Sequence, residues 1–137
     1  MSGWRHPDLG QAVDRSRILR FSFDGAAVEG FAGDTLASAL LASGTRILGR
    51  SFKYHRPRGL MAMGAAEPNA VFDVTLDGRT IPNQRATLTP LLDGMQVRSV
   101  NTAGTAGRDP LGALDLLHHF LPAGFYYKTF MAMGWMR

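Results

Sequence analysis

The chain has no cysteine among its 137 residues. That absence excludes disulfides, thiolate metal sites and cysteine nucleophiles together. It leaves the redox compartment open, because a cysteine-free chain is compatible with any. Long apolar runs are missing too. No window approaches the roughly 20 apolar residues that a membrane span needs, and no apolar stretch follows a basic start as in a signal peptide. The expectation is a cytoplasmic chain with no membrane partner. Acidic residues are absent from residues 35–66, a stretch that holds Arg46, Arg50, Lys53, His55, Arg56 and Arg58. Formal net charge is only +4, so the basic excess is local. A patch of this kind attracts an anion, an acidic protein face or nucleic acid. The glycine spacing of a dinucleotide fingerprint is also missing. Ala103-Gly104-Thr105-Ala106-Gly107 lacks the required spacing, the preceding strand and the following helix. Nothing marks a nucleophile elbow.

What is present suits one domain with extensions. A hydrophobic fraction of 45% is ordinary for a globular chain. Residues 1–17 mix Gly, Pro and charges without periodicity and read as a flexible N-terminal arm. From Ile18 the pattern alternates, with Leu19, Phe21 and Phe23 on one face. Asp24-Gly25 is a hairpin turn signal, and residues 28–31 form the returning strand. Asp34 or Thr35 can cap a helix over residues 36–43, with Gly44 just past its end. Leu36, Ala39 and Leu40 are its buried stripe. A second alternating strand carries Ala70, Phe72, Val74 and Leu76 inward, turned by Asp77-Gly78. Asp93-Gly94 precedes a last strand over residues 95–100. The order hairpin, helix, basic loop, hairpin, strand over residues 18–100 predicts an α+β fold of the β-grasp type, with a β-barrel as the alternative.

Residues 101–137 divide into a linker and a docking tail. Residues 101–107 (Asn-Thr-Ala-Gly-Thr-Ala-Gly) are a linker by composition. Residues 111–120 have helical spacing, and Phe125, Tyr126, Tyr127, Phe130, Met131, Met133, Trp135 and Met136 follow. So dense an aromatic and methionine cluster requires a surface to bury against, so the tail is expected to dock on a partner.

The strongest local signal is Gly49-Arg50-Ser51-Phe52-Lys53-Tyr54-His55-Arg56-Pro57-Arg58-Gly59. Arg forks suit bidentate oxyanions. The anion or interface candidates are therefore Arg50, Lys53, His55, Arg56 and Arg58, with a subunit interface favoured over direct ligand contact and nucleic acid last. His55 has no acidic partner nearby in sequence. His118-His119 has no evident third metal ligand, and neighbouring helical residues point about 100° apart, so no metal site is expected.

Several motifs together resemble a known family. They are residues 31–42 (Phe-Ala-Gly-Asp-Thr-Leu-Ala-Ser-Ala-Leu-Leu-Ala), residues 49–59, Glu67-Pro68-Asn69-Ala70, and residues 122–131 (Pro-Ala-Gly-Phe-Tyr-Tyr-Lys-Thr-Phe-Met). They are similar to the N-terminal region of the alpha subunit of heterotetrameric sarcosine oxidase and to the related N-methylglutamate dehydrogenase large subunit. Residues 57–70 and then Arg85-Ala86-Thr87-Leu88-Thr89-Pro90 also resemble the frame of a two-iron ferredoxin-like domain. In small redox subunits of amine dehydrogenases, that frame carries four cluster-ligating cysteines. Laid on it, the four positions here are Ala62, Glu67, Ala70 and Thr87, so the resemblance implies the frame without the cluster. Glu67 reads as a solvated loop carboxylate. In that family the alpha subunit is several times longer, and the catalytic residues lie outside the matched region. The resemblance implies no catalytic residue and no cofactor on this chain alone. For the full complex it implies FAD, FMN, NAD and tetrahydrofolate, with the other subunits as partners.

Overall fold

A computed structural model describes residues 4–120 of the chain. Their elements run β1 (Asp14–Phe23), β2 (Ala26–Ala32), α1 (Leu36–Ala42), β3 (Gly49–Arg50), β4 (Pro57–Arg58), β5 (Val71–Leu76), β6 (Arg79–Arg85) and β7 (Gln96–Ser99). Two 3₁₀ segments lie at Gly64–Ala66 and Pro110–Leu117. Five strands form one mixed sheet in the order β2-β1-β7-β5-β6. The β1–β7 pairing is parallel and the other three are antiparallel. The architecture is therefore the α+β, β-grasp-like arrangement that the element order predicts, with an open sheet rather than a barrel. β3 and β4 pair separately and frame the basic loop.

Local chemistry explains the elements. Asp24 and Gly25 both hold positive φ (49° and 84°), as do Asp77 and Gly78 (51° and 75°). A primed two-residue turn demands that combination, and the two Asp-Gly pairs close the β1–β2 and β5–β6 hairpins. Thr35, not Asp34, caps α1: its side chain accepts from the Ser38 N–H, and the Ser38 hydroxyl accepts from the Thr35 N–H. Asp34 turns inward instead. Its carboxylate accepts from the Phe31 N–H at 2.9 Å, from the Ser38 hydroxyl at 2.7 Å, and from the Arg5 guanidinium.

That last contact governs the N-terminal residues. Arg5 pairs with Asp34, the Trp4 N–H donates to the Ala42 carbonyl, and Arg46 stacks on the Trp4 ring at 4.3 Å. β1 also begins at Asp14 rather than Ile18. Gly33 sits at φ +91°, and a Cβ there would come within 2.1 Å of the Ala12 carbonyl oxygen, so only glycine admits this approach. Composition marks residues 4–16 as arm-like because their anchors, Asp34 and the end of α1, are distant in sequence.

The core lies between the sheet and α1. Leu19, Phe21 and Phe23 from β1, Leu36, Ala37, Ala39 and Leu40 from α1, and Phe72, Val74 and Val97 from the central strands are buried together. Phe72 is fully buried, with its ring 5.1 Å from that of Phe23. Truncating a buried Phe costs roughly 3–5 kcal/mol, and an exposed position changes stability by about 0.5 kcal/mol or less. Phe72→Ala should therefore lower the urea midpoint sharply, and Ile81→Ala, on the exposed part of β6, should barely move it. Similar midpoints for the two variants would place the core elsewhere.

Candidate functional site

The loop between β4 and β5 holds Ala62, Glu67 and Ala70, three of the residues that the resemblance sets at ligand positions, and the fourth, Thr87, lies just after β6. At the centre of the loop is Glu67, which is fully buried. This corrects the expectation of a solvated carboxylate. Its Oε2 accepts from the N–H groups of Met61 and Ala62, both at 2.7 Å, and its Oε1 from those of Asn69 at 2.7 Å and Ala70 at 3.0 Å. The carboxylate thus bonds to the backbone at two of the other positions, Ala62 and Ala70. The fourth, Thr87, donates its hydroxyl to the Gly64 carbonyl at 2.7 Å, and Arg85 donates to the Ala65 carbonyl. The loop's donors converge on one anion, and its carbonyls are capped from the segment after β6. The only local sign is that Glu67 is the lone charged residue in an Ala- and Met-rich stretch, a weak signal without the fold.

The basic loop is fastened by a second set of contacts. Arg50 spreads its guanidinium over three carbonyls: Nε to Ala106 at 2.8 Å, one terminal nitrogen to His55 at 3.0 Å and the other to Gly107 at 3.1 Å. His55 is buried at φ +51° and bonds through Nδ1 to the Asp109 carboxylate at 2.7 Å. An ionised carboxylate only accepts, so Nδ1 carries the proton. The acidic partner that the neighbouring sequence lacks therefore comes from 54 residues further on. Arg56 pairs with Asp115 at 2.6 Å, both half-exposed, and stacks on Tyr54 at 4.8 Å; Lys53 lies 5.1 Å from the same ring. Arg58 is exposed on β4. With Arg50, Phe52, Asn69, Asn83 and Asn101 it lines an open groove of about 590 Å³.

Residues 101–107 are consequently not a free linker. Ala106 is fully buried, its N–H donates to the Asp24 carboxylate at 2.7 Å, and the same carboxylate accepts from Ser99. Residues 110–117 form a 3₁₀ segment rather than an α-helix, begun by the Asp109 side chain accepting from the Leu111 N–H. The His118 and His119 rings lie 3.9 Å apart, tilted 37° to each other, rather than splaying. Among the described residues, no group of three His, Cys, Asp or Glu side chains is placed to hold a metal, and no helix is long and apolar enough to cross a membrane. The aromatic tail, residues 121–137, lies outside the described residues.

Comparison with known proteins places this geometry. A family described as the 2Fe-2S iron-sulfur cluster binding domain matches residues 16–102. The chain belongs to that 2Fe-2S domain family. It is homologous to the N-terminal region of the sarcosine oxidase alpha subunit, being 55% identical over 132 residues to that of Rhizobium meliloti (strain 1021), which covers 96% of this chain and 13% of the relative. It is 35% identical over 98 residues to the alpha subunit of Corynebacterium sp. (strain U-96), covering 69% of this chain and 10% of the relative. The chain thus spans only a small part of the curated relatives it matches. A crystal structure of L-proline dehydrogenase from P.horikoshii aligns over 63% of this chain and 16% of its own, with a TM-score of 0.47 and 26% identity.

The cluster that names the family does not fit this member. A two-iron cluster is held by thiolates, with histidine as the known substitute. This chain has no cysteine; the four residues that the resemblance sets at ligand positions offer two methyl groups, a hydroxyl and a carboxylate, and that carboxylate is already bound to the loop's N–H groups.

Two carboxylates carry the site's pH dependence. Burial is the largest single influence on Glu67 and opposes ionisation, but its four backbone N–H bonds together hold it below the ordinary 4.5. For Asp109 burial is again the largest influence. The His55 bond and the N–H groups of Leu111 and Ala103 outweigh it and leave the group below the ordinary 3.8. A carboxylate with a depressed folded pKa contributes stability that is complete above its unfolded value and lost as pH falls through its folded one. Asp109→Asn should therefore destabilise the chain at pH 7, and the gap from wild type should shrink as pH falls below 3.8. Urea midpoints measured across that range check this; a constant gap would mean that Asp109 is not ionised in the folded state. Arg50→Ala removes three charge-assisted bonds of about 1.5–3 kcal/mol each. It should expose residues 101–108 to trypsin at Arg108, and unchanged cleavage there would show the segment held by other contacts.

Proposed function

We propose that the chain is the non-catalytic structural and assembly portion of a sarcosine oxidase-like alpha subunit. On this reading it works within a flavoenzyme complex that oxidatively demethylates sarcosine or a similar secondary amine. The observation that carries the reading is the carboxylate at the cluster position, set beside 55% identity to a sarcosine oxidase alpha subunit over 132 residues. A domain of a redox family whose cofactor position is filled by its own side chain retains shape and surface but not electron transfer. FAD, FMN, NAD and tetrahydrofolate then belong to the rest of the complex, and the partners are its other subunits and domains. The alternative is a stand-alone adaptor or small-anion-binding module derived from a ferredoxin, favoured by the groove beside the exposed Arg58.

Co-expression separates the two. With the remaining subunits of a sarcosine oxidase-like complex present, the tagged chain should retain them together with bound flavin. Recovery of the chain alone, colourless, would overturn the assembly reading in favour of the adaptor. Protein made under anaerobic, iron-replete conditions should contain no stoichiometric iron or acid-labile sulfide, and a cluster's visible charge-transfer band would refute the structural assignment.

A further inference from the structure

The loop over residues 60–70 does more than lack a cluster. Four backbone N–H groups, from Met61, Ala62, Asn69 and Ala70, point at one fully buried spot, and the group there is a carboxylate that belongs to the loop itself. Converging backbone N–H groups form concavities that take anions, iron–sulfur clusters among them. A cluster ligated by four thiolates is an anion whose sulfurs accept such bonds. We propose that this loop is an anion-binding cradle and that Glu67 is its resident occupant, a tethered carboxylate replacing the charge and the acceptors that an iron–sulfur cluster supplies in the family.

Three observations set this against a chance buried acid. Both carboxylate oxygens are used, each by two N–H groups on opposite arms of the loop: residues 61 and 62 on one side, 69 and 70 on the other. Glu67 therefore closes the loop across its mouth, which is the bridging role of a cluster. The side chain occupies a ligand position and reaches the backbone of two others, while Thr87 at the fourth reaches back to the Gly64 carbonyl. And among the described residues no lysine, arginine or histidine is paired with Glu67; backbone N–H groups fill both of its oxygens. An isolated buried charge is tolerated only when it is fully hydrogen-bonded. Replacement by a neutral group thus removes the charge and at least one of the two acceptor oxygens, and leaves two or more buried donors without partners.

The test uses the full 137-residue chain and does not depend on the sarcosine oxidase reading, since it asks only what fills the loop. In Glu67→Ala the amide protons of residues 61, 62, 69 and 70 should lose exchange protection while those of β1 and β5 keep theirs, and the thermal midpoint should fall by about 10 °C or more. Formate, a free carboxylate of the right size, should restore protection at those four amides in a saturable way. Formamide, its neutral counterpart, should not, and the wild-type chain should respond to neither. Failure of formate in a folded Ala variant, or equal rescue by formamide, overturns the proposal. Glu67→Gln covers the case in which the Ala variant does not fold. Loss of protection confined to the four amides supports an anion cradle, whereas a Gln variant with the wild-type midpoint and protection shows that the charge is not needed and overturns it.

Discussion

The hydrogen bonds of one buried carboxylate organise this half of the molecule. Glu67 gathers the two arms of its loop, and the loop passes the constraint on through backbone contacts. Ala70 donates to Glu67 and accepts from the Ala86 N–H at 2.9 Å; Ala86 in turn accepts from the Ala37 N–H at 3.0 Å, on the first turn of α1. All three alanines are buried, and their small size lets loop, post-β6 segment and helix approach closely. On the other side, a Cβ at position 49 would meet the Asn69 carbonyl oxygen at 2.8 Å. Glycine at the start of β3 is therefore what allows the basic loop to lie against the Glu67 loop. If Glu67 let go, the register of β4 and the entry to β5 would lose their common reference point.

A second fastening stands beside the first and uses the opposite charge. Arg50 is a guanidinium among carbonyls, where Glu67 is a carboxylate among N–H groups. Each satisfies the backbone of an irregular segment that has no sheet to pair with, which is the requirement any buried loop must meet. Asp24 and Asp109 complete the work on residues 101–111 by taking the N–H groups of Ala106, Ala103 and Leu111, which Arg50 cannot. Most of the basic patch is thereby engaged within the chain. Arg46 lies on Trp4, Arg50 holds carbonyls, Arg56 faces Asp115, and Lys53 and Tyr54 have partners of their own. A run of cations without acidic neighbours in sequence says little about binding when the fold imports acids from 50 or more residues away.

That distance separates what could be read from the sequence and what could not. Strand alternation and Asp-Gly turns are local, so β1, β2, β5 and β6 and the position of α1 are legible in the sequence. Partners set by tertiary contact are not. Residues 101–107 look like a linker because Gly, Thr and Ala offer no pattern, and their order comes from Asp24, Arg50 and Asp109. Glu67 reads as solvated because a lone carboxylate usually is, and the N–H groups that reverse this become convergent only once the loop is folded. The 3₁₀ winding of residues 110–117 likewise follows from Asp109 and Pro110 at its start, which a count of apolar spacing does not weigh.

The surface that remains follows from these two fastenings. With Glu67 drawn inside, the loop turns Met61 and Met63 outward, both largely exposed, and Leu88, which follows Thr87, is exposed as well. With Arg50 committed to carbonyls, the groove next to β4 is left with Arg58 and the ring of Phe52, 75% exposed. The exposed side chains of the loop are therefore apolar, and those of the groove are cationic and aromatic. Methionine packs adaptably, and Arg and aromatic groups carry much of the energy of protein interfaces. Drawing Glu67 inside thus decides what the domain leaves on its surface: methionine side chains at the loop, and an arginine with an aromatic ring at the groove, the residue types in which protein interfaces are enriched.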